Sequence, residues 1–418
     1  MVSIKNKEGS KFALLTFLYP LLGLLISIKY HRQSWAKNIF WIWCAFMGAV
    51  FIYHPDSGVI ADRTRIADKF IAIHSSETSF NTLISSFYTS YDEVIERANL
   101  DLYFPILNFI VSRFTGNPHW IFFFYALVFG FFYSRSIWYV IENIRGRISL
   151  RIGILLFAFA ATCSVWDIGG PRIWTAVQVF LYGVIPYIIN NDKSKLVWCY
   201  LSIFFHFSLV APVVFLTIYF LLPRNISVFF ILFLIAQTIS ELNLESINTF
   251  LKNLGFSEFD NTIDTYASQN YLERRKEMEL ESSVYFLFQS AIFKYPVIIF
   301  NFITYFFVVR KNNIDNNIKN LFCFTLFFSA FAVFFANIPS GGRFITLSNM
   351  ISIASFILIW QYLANRTYNF YISLFSLVML IYIVTRMRFF AVSFGFDIFY
   401  QNFISVFFIE NNVPIYPE

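Results

Sequence analysis

Asp167-Ile168-Gly169-Gly170-Pro171-Arg172 is a short polar turn set between two apolar runs, 151–166 and 173–189. The Gly-Gly pair lets the backbone bend tightly and come close to another group. Pro171 pre-sets the first dihedral of the helix that follows. Apolar runs of this length on both sides make the segment a pair of membrane helices with the turn at one face. Further along, Pro339-Ser340-Gly341-Gly342-Arg343-Phe344 repeats the arrangement between runs 318–338 and 344–363. In both turns an arginine opens the next helix. An arginine at a membrane-embedded helix end is costly and is a functional candidate by default. It also has a plainer use, anchoring its helix by snorkelling to the headgroups. Two such turns on one side of a membrane make a cationic, amide-lined cup for phosphate.

Composition agrees with that frame. Of 418 residues, 58% are hydrophobic and 13% charged, and the mean hydropathy is +0.61. These values exclude an ordinary soluble domain and predict an all-α polytopic membrane protein, with roughly 12–14 transmembrane or re-entrant helices. Lysines and arginines in cytoplasmic loops account for the net charge of +6. No basic cluster with interleaved aromatics stands outside the spans, so nucleic acid is not an expected partner. The 57 phenylalanines are mostly packing and lipid-facing residues. Cys44, Cys163, Cys199 and Cys323 lie far apart in or beside apolar runs, without metal-ligand spacing, and read as buried structural thiols. The first apolar run has no small-residue cleavage pattern after it, so no cleavable signal peptide is expected.

Loop charge orders the spans. The first run, 11–28, reads as one span with basic residues on both flanks (Lys5, Lys7 and Lys11 before it; Lys29, Arg32 and Lys37 after it), which leaves the N-terminal orientation open. The basic segments at 141–151, at Lys193 and Lys195, and at Arg310, Lys311 and Lys319 read as cytoplasmic. Both Gly-Gly-Arg turns then fall on the exterior face. Residues 54–100 and 241–282 are the two larger exterior loops of a single domain spanning 1–418. Run 101–114, interrupted by Pro105, reads as a re-entrant or interfacial helix. Run 196–222 reads as a hairpin of two short helices meeting at Phe205-His206-Phe207-Ser208, and 389–409 as a further span or an interfacial helix.

Nucleotide-binding glycine loops, paired-cysteine metal sites and nucleophile turns are missing, and neither metal nor cofactor is expected. The usable polar groups are fewer. His206 sits in an apolar run, where an ionisable group is expensive and usually functional; it can take a proton from a hydroxyl, donate to a phosphate, or simply bond a neighbouring carbonyl. Asp56, Asp62 and Asp68 in the first exterior loop are candidate bases or metal ligands, or solvated loop charges. Asp101, with Tyr103, stands at the mouth of the re-entrant run. Arg172 and Arg343 lead the candidate phosphate binders, followed by Arg63 and Arg65. The 273–277 charge run reads as a solvated helix face.

The order of these elements carries a resemblance. An Asp-rich exterior loop precedes Asp101-Leu102-Tyr103-Phe104-Pro105-Ile106-Leu107-Asn108, an acid-x-Tyr-x-x-x-Leu-Asn element; Arg172 opens a span with Ala176 a turn later; Phe205-His206-Phe207-Ser208 and Arg343 follow. Over about residues 36–222, with a weaker echo to 363, the chain resembles the EpsG/Wzy family of bacterial exopolysaccharide and O-antigen polymerases. Ile173 stands where that family usually has glutamine after the first arginine, and Gly-Gly-Pro where it often has asparagine. The resemblance implies an inner-membrane glycosyltransferase that works on the periplasmic face. Donor and acceptor repeat units would both be carried on undecaprenyl pyrophosphate, with a flippase and a chain-length regulator as partners. A flippase or transporter of lipid-linked sugars would use the same cup without chemistry, and an O-antigen ligase would differ in acceptor. The inverted repeats common in transporters are not evident.

Overall fold

The computed structural model describes residues 2–53, 62–76, 79–88, 101–238, 284–310, 314–336, 341–363, 366–408 and 413–416. Among them the regular structure is helical throughout. Seven helices are long and apolar enough to cross a membrane: Pro118–Glu142, Leu150–Gly169, Pro171–Asn190, Val284–Val309, Asn316–Phe335, Gly342–Trp360 and Arg366–Ser393. Shorter helices fill the spaces between them. In chain order these are α1 (Val2–Leu18), α2 (Pro20–Lys29), α3 (Ala36–Ala49), α4 (Asp62–Ser75), α5 (Phe80–Tyr88) and α6 (Tyr103–Ser112). Then come α7 (Pro118–Glu142), α8 (Leu150–Thr162), α9 (Pro171–Asn190), α10 (Lys193–Phe205), α11 (Val210–Leu221) and α12 (Ile226–Thr238). The last four are α13 (Val284–Arg310), α14 (Asn316–Phe335), α15 (Gly342–Trp360) and α16 (Arg366–Ser393). The expected all-α polytopic architecture holds. The expected loop 241–282 lies outside the described residues.

The first run is not the single span its hydropathy suggests. Pro20 cannot continue α1, and it pushes Tyr19 out of the helical region, to φ −137° and ψ 82°. The chain folds back there. Phe12 stacks on Tyr30 at 5.6 Å and lies 5.1 Å from Trp35, and Gly9 packs on Trp35. The basic residues on either side of the run therefore sit at one end of the bundle, not on opposite faces. The C-terminal run also departs from expectation. α16 continues to Ser393, and the described residues beyond it form only short 3-10 turns at Phe396–Phe399 and Ser405–Phe407, so 394–408 makes neither a spanning nor an interfacial α-helix.

Another expectation holds: run 196–222 is broken at His206 into α10 and α11. Run 101–114 contains the ten-residue α6, too short to span.

With no hydrophobic drive between helices in lipid, close backbone approach and ring packing hold the bundle together. Small residues mark the tightest crossings. A Cβ on Gly48 of α3 would lie 2.3 Å from the Phe122 carbonyl of α7, and one on Gly183 of α9 would lie 2.7 Å from Cys199 Sγ of α10. Elsewhere rings stack: Phe230 on Tyr305 at 3.6 Å, Trp120 on Phe407 at 3.8 Å and Phe300 on Phe375 at 4.5 Å. All four cysteines are buried thiols, as their setting in the sequence implies.

The basic loops gather at one end. Arg32 donates to the carbonyls of Ile141, Ile144 and Gly146. Lys37 pairs with Glu142 at 3.0 Å. The Arg145 amide donates to Gln361, which in turn donates to the Asn143 carbonyl. Tyr219, beside Arg224, donates to the Asn320 carbonyl near the start of α14. Both Gly-Gly-Arg turns lie at the opposite end.

Candidate active site

The site is built where three helix ends meet. α8 ends at Thr162, and the chain then makes a 3-10 turn over Val165–Gly169 closed by a capping box, in which the Ser164 amide donates to Asp167 Oδ2 at 2.8 Å. Gly170 and Pro171 start α9, so Arg172 stands in its first turn. α15 begins likewise at Gly342, with Arg343 in its first turn. Neither helix start has a side-chain cap. Each start thus offers first-turn N–H groups and the positive end of a helix dipole beside an arginine. The third end is the break between α10 and α11 at His206.

Asp101 ties the start of α9 to the break at His206. It is 8% exposed. Its Oδ2 accepts from Arg172 Nη1 at 3.2 Å, and its Oδ1 accepts from the Phe207 amide at 2.8 Å. The carboxylate side chain is 11% exposed, whereas that of Arg172 is 48% exposed. Arg172 is therefore held from below while much of its guanidinium faces outward, over the Phe104 ring at 5.5 Å. α6 in turn is fixed by Asn108, whose Nδ2 donates to Tyr125 Oη at 2.6 Å and to the Phe104 carbonyl at 2.7 Å. Phe104 stacks on the same Tyr125 ring at 5.8 Å. Asp101, Phe104 and Asn108 of this element each have a mechanical task.

His206 caps the break itself. Its Nδ1 accepts the Ser208 amide at 3.1 Å and lies 2.8 Å from Ser208 Oγ. A backbone N–H only donates, so Nδ1 carries the lone pair and the ring proton of the neutral imidazole is on Nε2. The charges that act on this ring are Asp101, Arg343 and Arg172. Arg172, Arg343, Asp101 and His206, which are far apart in sequence, are thus brought together.

The remaining sequence candidates are placed differently. Asp56 lies outside the described residues, as do Pro339 and Ser340 of the second turn. Arg65 is exposed on α4 and pairs with Asp62 at 3.7 Å. Asp68 is exposed on the same helix. Arg63 is only 6% exposed; it donates to the Val392 carbonyl at 3.4 Å and lies beside Gly169, bracing the first turn from behind.

Asp167, at the head of the first turn, is paired with α16. Both its oxygens accept from Arg386 Nη2 of α16, at 2.6 and 2.7 Å, with 13% and 12% of the two side chains exposed. Arg386 Nε also donates to the Ala161 carbonyl at 3.1 Å. Arg386 is the residue that sequence reasoning missed. The signal was present: an arginine late in a long apolar run needs a buried acid, and Asp167 was on the same end.

Among the described residues, no group of three or more histidines, cysteines, aspartates and glutamates is arranged to hold a metal. The cluster can bind an anion through two cations, uncapped amides and an imidazole N–H. In comparison with known families, the model of the EpsG family matches residues 77–405. No curated protein and no solved structure matches the chain.

Proposed function

Because this chain belongs to the EpsG family, a membership that supports a polysaccharide polymerase-like role, we propose that it joins oligosaccharide repeat units carried on undecaprenyl pyrophosphate. It does so as a multi-pass glycosyltransferase of the bacterial inner membrane, with its site on the periplasmic face. Orientation rests on the basic end of the bundle, which the positive-inside rule puts in the cytoplasm. The observation that carries the chemistry is the Asp101 carboxylate shared between Arg172 and the Phe207 amide, beside His206.

In the reaction a hydroxyl oxygen of the incoming unit bonds to the anomeric carbon of the growing chain. The bond from that carbon to the pyrophosphate oxygen breaks, and the lipid pyrophosphate leaves with the electron pair. Charge develops on the departing phosphate oxygens. Arg172, Arg343 and the first-turn amides of α9 and α15 are pre-set to receive it. His206 has Nδ1 engaged by Ser208, so it offers Nε2–H to the leaving oxygen and is not the base. Asp101, with both oxygens committed, is a positioning residue. The acceptor's proton then falls to another carboxylate, and we assign it to Asp56 of the first exterior loop.

Chain-length profiles of the polysaccharide on a gel test this assignment. Arg172→Ala removes one donor to the leaving group, for a cost of about 3 kcal/mol, or roughly a hundredfold in rate. Long chains should disappear while the protein stays in the membrane. Asp101→Asn keeps an acceptor for the Phe207 amide but releases Arg172, and should lower the yield of long chains less severely. Unchanged profiles for Arg172→Ala would overturn the pyrophosphate role.

A further inference from the structure

A second polar pocket lies at the opposite, basic end of the bundle, with a volume of about 210 Å³ between α3, α7, α9 and α10. Three cations reach it: Lys37, Arg135 and Lys195. Lys37 is matched by Glu142 at 3.0 Å. Asp192, also on its wall, is turned to cap α10 through the Ser194 amide and hydroxyl at 3.0 and 2.6 Å. The other two cations have only neutral hydrogen-bond partners. Arg135 donates to Asn38 Oδ1 at 2.6 Å and to Ser134 Oγ at 2.8 Å, and lies over the rings of Trp41 and Phe131 at 4.8 and 4.2 Å. Lys195 donates to Tyr182 Oη at 2.5 Å. Neither forms an ion pair among the described residues.

A second observation points into the same space. Ser136, 2% exposed, also lines the pocket, and its hydroxyl has no hydrogen-bond partner among the described residues. A buried, unmatched hydroxyl is costly unless something supplies its partner. Depth narrows what that something is. Arg135 is two turns before the end of α7, roughly 10 Å below it at the helical rise, where the headgroups of a leaflet give way to acyl chains. Pro186, within α9 and on the pocket wall, cannot donate to the preceding turn, and its ring pushes that turn aside.

We propose that this pocket holds a phosphate ester of net negative charge, supplied by the headgroup of an anionic membrane lipid. Arg135 and Lys195 neutralise the phosphate, and Ser136 and the tyrosine hydroxyls fix its oxygens. Asp192 acts on Lys195 through space, but the cations of the lining, Lys37, Arg135 and Lys195, outnumber its acids, Glu142 and Asp192; that net positive charge favours a headgroup such as phosphatidylglycerol over a zwitterionic one, whose own ammonium would be repelled. The site is separate from the Arg172 cluster and does not depend on the polymerase assignment.

Native mass spectrometry of the detergent-purified full chain, titrated with phosphatidylglycerol or phosphatidylcholine, tests the proposal. Phosphatidylglycerol should bind in preference. Lys195→Gln should weaken it about tenfold, the loss expected for one charge-assisted contact. Arg135→Gln should do the same and Arg135→Lys less. Lys29→Gln, which removes an exposed cation beside Tyr30 at the same end, should leave binding unchanged. Lys195 lies on the half-exposed start of α10, so its variant reports on the site even where an Arg135 variant is poorly folded. Inorganic phosphate is the second arm: if millimolar phosphate displaces the lipid, the phosphate site stands and a soluble phosphate ester is its source. Equal binding of both lipids, or full retention of phosphatidylglycerol by Lys195→Gln and Arg135→Gln, would overturn the site.

Discussion

Asp167 and Arg386 show how one pair can set a turn on which function depends. Each is nearly enclosed, and the pair joins the turn before α9 to the last long helix. Breaking such a pair by removing one partner leaves a charge buried without compensation, at a cost of about 3–5 kcal/mol. Replacing both by apolar residues of similar volume costs far less. Asp167→Ala should therefore lower the thermal midpoint sharply in detergent, read by intrinsic tryptophan fluorescence, and Asp167→Leu with Arg386→Met should recover most of the loss. A single variant that melts like the parent would show that Arg386 finds another partner. At this scale the sequence was informative about residue type and poor about partner. Arg172 was recognisable from its place after Gly-Gly-Pro, but Asp101 as its partner was not, because the contact crosses 71 positions. His206 was recognisable as a polar group in an apolar run. Which of its nitrogens holds the proton depends on the Ser208 amide, and only coordinates show that.

Among the elements, the break at His206 was legible because run 196–222 is too long for one span and carries polar groups in its middle. The fold-back at Tyr19 was not read, although Pro20 signalled it, because hydropathy alone averages across a proline. Helix crossings were hidden for another reason: a glycine in an apolar helix does not say which helix it will meet. A Cβ added at Gly183 would lie 2.7 Å from Cys199 Sγ and from the Lys195 carbonyl, both on α10. A side chain there has to drive α9 and α10 apart, and α10 carries His206 at its far end. Gly183→Leu should destabilise the fold by about 1–3 kcal/mol, the usual cost of overpacking. It should also reduce polymer length beyond what the loss of folded protein explains, because the His206 break moves with α10. Size-exclusion profiles together with polysaccharide gels separate the two effects. Gly153→Leu, with open space around it, is the control and should leave both unchanged.

For the whole molecule, loop charge carried the most information, and it did so because basic residues obey a rule independent of fold. It placed both arginine turns on one face before any contact was known, and the shared electrostatic neighbourhood of His206 agrees. It failed at the N-terminus, where basic residues flank both sides of a run that proved to be a hairpin. The resulting topology makes a prediction that spans the molecule. All four native thiols are buried, so an introduced cysteine reports against a low background. Gly169→Cys and Gly342→Cys place thiols at the two turns, where an added Cβ meets only ordinary contacts or open space. Arg147→Cys and Lys193→Cys place them at exposed positions of the basic end. In intact cells whose outer membrane admits the reagent, a membrane-impermeant maleimide should label the first pair and leave the second pair unmodified until the inner membrane is opened. Labelling of only one turn would break the cup into two unrelated ends. Labelling of the basic end in intact cells would turn the molecule over and put Arg172 and Arg343 in the cytoplasm, where lipid-linked units already carried across the membrane could not reach them.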